Sequence, residues 1–549
     1  MTTPRRDEQP IVLHGPLTGD PERIVEHPRS LPEIAPDVVA HTDVVGPLIP
    51  TARVEVATPG SVATERPEAQ PRTLPAPAVS VAPTERVFGL DVFRGVLLLA
   101  MNFTFTIPPW GPFPKWMYHT QVPPSPTREY VGVAGLTWQD FLFAMFVFTM
   151  AAAIPIAMGG RLARGKPYPD IVFQSIRRGA LLLLFALLIG HVNPYWTQDY
   201  TKRGNILALA GLLVCFAVFV QPPATWKAWA VRGLRYAGWA GVAALLFVVP
   251  TLVYGQTFST DRRDYIMAAL AFATVAGTAV WLLTRKNVGL RLGIFGVIVA
   301  GRALATEFPA VGQIWYANPA PAVYQPWYLE LLLVIIPGTI AGDLIWRWMQ
   351  KPKVSTTVRS WSTRRLAALA AIGWSFIPIL CIGLYERRYP MQTTVAVIAM
   401  CAAMLVVTRG AGTERDRVLA RLFAWASLWL VAGMLAEPLE GGIKKDPQTL
   451  GFLLLMAGSA MAALGGLMIL SDIFRSGRRA LRPAALIGQN ALFAYVIIML
   501  GFEHVLWLTG IGGSFTSSWQ AATVRSVVLT GLAGALVWYA TRKKLIWKT

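Results

Sequence analysis

From Val87 onward the chain alternates long apolar runs with short polar loops, and the runs have the length a bilayer demands. A helix needs about 20 apolar residues to cross roughly 30 Å of hydrocarbon. Fourteen runs qualify, centred near residues 97, 147, 185, 212, 244, 274, 296, 339, 375, 400, 428, 460, 495 and 531. The pattern predicts an all-α, polytopic integral-membrane bundle of about 10 to 14 transmembrane helices. The weakest runs are the third and the seventh, which carries Arg302 and Glu307 near its end.

Residues 1–85 break the pattern. They are rich in Pro, Val, Ala, Glu and Arg, have neither helical nor strand period, and include the run PRTLPAPAVSVAPTER. Such a segment lacks the apolar side chains to build a core, so a disordered cytoplasmic tail is expected. Residues 86–505 then form the main membrane domain, and 506–549 a final transmembrane helix with a basic cytoplasmic C-terminus.

Charge adds orientation. Alternate loops, beginning with 159–178 and ending with the 542–549 tail, hold 29 Lys and Arg, against 11 in the opposite set. The positive-inside rule puts both termini in the cytoplasm and the 105–135 loop on the far side. A net charge of +20 would suggest nucleic acid in a soluble chain. Here topology explains it, and no nucleic-acid partner is expected. With 54% hydrophobic and 15% charged residues, a soluble class is excluded. The expected setting is an inner or plasma membrane of bacterial type. Cys215, Cys381 and Cys401 lie inside apolar runs without zinc or redox spacing, so no metal is expected.

Candidate chemistry concentrates between Arg86 and Met158, where two apolar runs flank a loop holding His119. Imidazole both takes and gives a proton near neutral pH. Of the other histidines, His14, His27 and His41 are in the tail, leaving only His191 and His504 as competitors. The bland alternative for His119 is an interfacial side chain making one backbone hydrogen bond. Asp91 and Asp140 stand at span entrances, where a carboxylate orients an imidazole or pairs with Arg94 or Arg128. Asp91 and Arg94 are three apart on one helix face and either neutralise each other or serve an anionic group on the cytoplasmic side. The outward loops, such as PPWGPFPKWMYHT and HVNPYWTQDY, are dense in Trp, Tyr and Pro. Those aromatics fit an interfacial belt, with a platform for sugar rings as the alternative.

The segments LDVFRGVLLLAM, WMYH and GLTWQDFLFAMFVF resemble the heparan-α-glucosaminide N-acetyltransferase-like family, within the wider group of transmembrane acyltransferases. Weaker resemblance continues through GNILALAGLLVCF, YLELLLVIIPGTIAGDLI and LRPAALIGQNALFAYV, where Asn490 and Tyr495 match, and spans most of 86–505. The resemblance implies acyl transfer from cytoplasmic acetyl-CoA to an amine or hydroxyl of a sugar or glycan on the far side. It makes His119 catalytic, as general base or as acyl-imidazole relay. Candidate substrate- or CoA-binding residues are Asp91, Arg94, Asn102, Asp140, Arg177, Arg178 and Asn490. Arg177 and Arg178 are equally topology determinants. Departures from the family pattern concern the acceptor. Phe105 stands where the family has Asn, with Asn102 one turn earlier; an insert, TQVPPSPTREYVGVA, follows His119; and ADLVFP reads QDFLFA. The expected partners are the lipid bilayer, acyl-CoA and the acceptor, with a homodimer as a further option. Two other functions fit the same segments: a transporter or flippase of a glycan-type solute, and an inactive scaffold keeping the acyltransferase fold.

Overall fold

Each of the fourteen apolar runs lies in a helix long and apolar enough to cross a membrane. They are α1 (Phe88–Thr106), α2 (Asp140–Ala163), α3 (Tyr168–Val192), α4 (Lys202–Phe219), α5 (Ala228–Tyr254), α6 (Tyr265–Thr284) and α7 (Val288–Glu307). After them come α8 (Tyr328–Gln350), α9 (Thr363–Arg387), α10 (Pro390–Val407), α11 (Glu414–Leu435) and α12 (Leu450–Ile473). A shorter amphipathic helix, α13 (Arg478–Gln489), precedes the last two spans, α14 (Ala491–Leu508) and α15 (Trp519–Arg542). This computed structural model describes residues 87–548, except 109–110, 123–130, 224, 318–319, 321–322, 352–359 and 475–476. The proposed tail with its three histidines, and Arg128, lie outside the described residues. The protein is an all-α, polytopic helical membrane bundle.

Burial separates a central layer from a lipid-facing one. The apolar stretch of α12 is 94% buried, that of α8 83% and that of α2 72%, whereas α10 reaches 22% and α7 only 17%. Apolar side chains gain nothing by leaving lipid for protein, so close packing by small residues must hold the central helices together. The sequence supplies them. Gly338 and Gly342 of α8, one turn apart, face Ala151, Ala152 and Pro155 of α2. Gly95 of α1 lies against the Ala484 carbonyl of α13, and Gly488 of α13 against the Asp91 carbonyl.

Charges inside the bundle are paired, as desolvation requires. Arg291 of α7, fully buried, contacts Asp343 of α8 at 2.8 Å and Thr284 Oγ1 at 2.9 Å, while the Trp281 indole donates to the other Asp343 oxygen at 2.9 Å. Arg302, near the end of the seventh run, bonds Glu330, Glu440 at 2.8 Å and the Gln448 carbonyl at 2.6 Å. That guanidinium ties α7 to the loop before α12.

A side chain at position 95 meets backbone, which cannot move aside as a flexible side chain would: its Cβ would lie 1.8 Å from the Ala484 oxygen. Gly95→Ala is therefore expected to destabilise the bundle by at least about 1–3 kcal/mol, read as a lowered melting midpoint of the detergent-solubilised protein. An unchanged midpoint would contradict this α1–α13 contact.

Candidate active site

The loop between α1 and α2 is held in place before it presents any chemistry. Pro108 follows the end of α1, and its carbonyl accepts the Tyr118 hydroxyl at 2.9 Å. Tyr118, Phe113 and Ile107 bury together against Ala522 of α15. A short turn of helix, Lys115–Met117, ends with the Met117 carbonyl accepting the Gln139 side-chain amide. Two residues past Met117 is His119. Gln121 fastens the other side. Its amide nitrogen donates to the carbonyls of Val133 at 2.9 Å and Gly135 at 3.2 Å, and its oxygen accepts the Lys445 backbone N–H at 3.3 Å. Gly135 has φ +143° and passes so close to Glu386 that a Cβ would meet its nitrogen at 2.5 Å. Only glycine combines that torsion with that approach.

Asp140 opens α2, where a negative charge is favoured by the helix dipole. Its carboxylate has no solvent exposure. One oxygen accepts the Thr137 N–H at 2.7 Å and the Thr137 hydroxyl at 3.1 Å; the other stands 2.6 Å from His119 Nδ1. A carboxylate surrounded by donors is an acceptor only, so Nδ1 carries the hydrogen and Nε2 keeps its lone pair. The imidazole is 31% exposed, and the pair is a buried orienting acid with an accessible base. The Lys445 ammonium lies 3.4 Å from Nδ1 and 3.3 Å from Nε2, and 3.3 Å from Asp446. Beside these groups, Thr120 Oγ1 and Trp138 Nε1 are buried without a hydrogen-bond partner among the described residues.

A second group of residues collects farther along α1. Arg94 is 3.7 Å from Asp91 and donates to the Thr149 carbonyl of α2 at 3.3 Å, while Gln489 donates to Asp91 at 3.1 Å. The charges of Arg94 and Arg161 act on Arg178. Arg177 and Arg178 are both exposed. Arg94 lies within α1 and not at its end. The twelve residues from Arg94 to Thr106, the end of α1, rise about 18 Å.

Of the residues singled out from the sequence, the structure brings His119 to Asp140 and Arg94 to Asp91 and Arg178. It does not bring the two asparagines to either group. Asn102 is buried against α14, its amide nitrogen turned to the carbonyls of Leu98 and Ala494 at 3.3 Å each. Asn490 clasps the C-terminal residues: it donates to Thr541 at 3.1 Å and the Leu545 carbonyl at 2.9 Å, and accepts the Trp547 N–H at 2.9 Å. That clasp supports an antiparallel pairing of Val220–Gln221 with Ile546–Trp547. His191 stacks on Phe258 and bonds the Leu187 carbonyl at 2.8 Å; His504 lies between Asn205 at 2.9 Å and the Met499 carbonyl at 3.0 Å. Lys445, Gln121 and Arg161 were not anticipated. A signal for Lys445 exists in its loop, which belongs to the set poor in Lys and Arg yet carries two adjacent lysines.

A sequence-family profile described as a domain of unknown function (DUF5009) matches residues 86–345. That stretch contains His119, Asp140 and the arginine group and ends before Lys445. A comparison with curated proteins gives no match.

Because Asn490 satisfies buried backbone groups, Asn490→Ala is expected to cost about 1–3 kcal/mol and to loosen the C-terminal segment. Faster trypsin cleavage at Lys543, Lys544 and Lys548 would reveal this. Unchanged cleavage and melting would return Asn490 to the list of ligand-binding candidates.

Proposed function

We propose that the protein is a membrane-embedded acyltransferase, moving an acetyl or other acyl group from acyl-CoA to an amine or hydroxyl of a sugar or glycan. The observation that carries this reading is the 2.6 Å contact between His119 Nδ1 and the sequestered Asp140 carboxylate, on an imidazole that is itself 31% exposed. A thioester is already activated, so the enzyme's work is to deprotonate the acceptor and hold the two partners together. His119 Nε2 takes the acceptor proton as the acceptor atom attacks the thioester carbonyl. When the intermediate collapses, the thiolate leaves and the imidazolium returns the proton to sulfur. Asp140 holds the ring in the required tautomer and steadies its positive charge.

The arginine group supports the donor side of the reading. Arg94 and Arg161 each repel Arg178, with Asp91 beside Arg94. Planar guanidiniums so arranged suit the phosphates of CoA. In this reading they face the cytoplasm, as do both termini, and His119 faces the opposite compartment, in keeping with the distribution of Lys and Arg among the loops. The resemblance to the heparan-α-glucosaminide N-acetyltransferase-like family supports the same chemistry, and exposed Trp116, three residues before His119, suits a sugar ring.

The test is label transfer from acetyl-CoA to glycan acceptors by the purified protein in vesicles. His119→Ala is expected to abolish transfer, and Asp140→Asn to lower kcat about 100-fold or more. Arg94→Gln should raise KM for acyl-CoA about 10-fold or more with a smaller change in kcat. CoA binding without turnover would instead identify a scaffold, and solute flux without CoA a transporter; either outcome defeats the enzyme reading.

A further inference from the structure

Within the acyltransferase reading, on which this rests, we infer that Lys445 is a further catalytic residue whose ammonium stabilises the oxyanion formed at the acyl carbonyl. Its position is the first argument. Nζ is almost equidistant from the two ring nitrogens, at 3.4 and 3.3 Å. A donor on the axis of the Nε2 lone pair would stand much farther from Nδ1 than from Nε2. Nζ therefore touches both nitrogens from off the axis of the Nε2 lone pair. The ammonium stands next to the base without occupying it.

The second argument is electrostatic. The ammonium places a positive charge against the group that is to receive a proton. Orientation does not need it, because Asp140 and Thr137 already fix the ring. Such a local conflict marks function when the charge is used elsewhere in the cycle. At the moment His119 gains its proton, a full negative charge appears on the carbonyl oxygen of the substrate, and the ammonium offsets it there. The neutral donors nearby, Thr120 and Trp138, supply less than a charge fixed in a largely water-excluded site.

Preorganisation is the third. The Lys445 side chain is 18% exposed, its backbone N–H is tied to Gln121, and Gly135 N–H donates to the Ile443 carbonyl at 2.7 Å. The loop bearing the ammonium is thus bonded to both sides of the loop bearing the imidazole. The Asp446 carboxylate lies 3.3 Å from Nζ.

The step balances as follows. The acceptor atom bonds to the acyl carbon while its proton passes to Nε2, and the carbonyl π pair moves to oxygen, facing Lys445. The carbonyl re-forms, the C–S bond breaks with its electron pair on sulfur, and sulfur takes the proton from Nε2. Lys445 keeps its proton throughout, so no acyl-lysine forms.

Lys445→Met, close in length but neutral, tests this with acetyl-CoA and a competent acceptor. The expected result is a 100- to 1,000-fold fall in kcat with both KM values within about threefold. Lys445→Arg should recover at least about 10-fold of the loss, and Lys445→Cys should regain activity on alkylation with 2-bromoethylamine, which rebuilds an ammonium. Wild type treated alike is the control for the three native cysteines. A merely structural lysine would lower the melting midpoint and respond to neither restoration. If wild type transfers label in a His119-dependent way while Lys445→Met keeps kcat within threefold, the Lys445 role is overturned and the acyltransferase reading stands. If wild type transfers nothing, the parent reading fails first. Should Lys445→Met not fold, rescue of the folded Cys variant decides, and absence of rescue overturns the role.

Discussion

A carboxylate cut off from water must be surrounded by donors or it cannot remain ionised, and Asp140 meets that condition with three of them. Two come from Thr137, one turn before α2, and the third is an imidazole from a different segment. Much of the local architecture exists to bring that third donor into place. The Tyr118 hydroxyl, the Gln139 amide and the Gln121 amide each bind backbone of a neighbouring segment, so the histidine loop is braced on both sides.

The same rule governs charges elsewhere in the bundle, with a different outcome. Arg291 with Asp343, and Arg302 with Glu330 and Glu440, use their hydrogen-bonding capacity on protein groups and bind helix to helix. Breaking either would leave an uncompensated charge in an apolar setting. Around His119 the balance is incomplete, with an ammonium against both imidazole nitrogens and two buried donors without partners among the described residues. Among Arg94, Arg161 and Arg178 like charges accumulate. Saturated clusters hold the structure together, and the unsaturated ones are the candidate sites.

Span positions were legible because the bilayer imposes a length on each apolar run, and that length is a property of contiguous residues. His119 was legible as a solitary imidazole in an outward loop. The role of Asp140 was one of several open pairings, because sequence does not say which of two carboxylates a loop will reach. Lys445 was not legible: 326 positions separate it from His119, and only the contacts of Gly135 and Gln121 bring the two loops together. Asn490 misled for the same reason. Its partners lie 51 to 57 positions onward, so a motif position that suggested ligand binding serves the packing of the chain's own tail.

The bracing at Gln121 has a consequence for sequence divergence. Val131 N–H donates to the Gln121 carbonyl at 3.0 Å, and the Gln121 side chain reaches Val133. The chain is thereby pinched shut on either side of residues 122–130, so the base of that excursion is fixed independently of its contour. Doubling the length of a closed excursion costs only about 0.6 kcal/mol. Insertions there leave the imidazole in place, so the segment can change in length while His119 keeps its contact with Asp140.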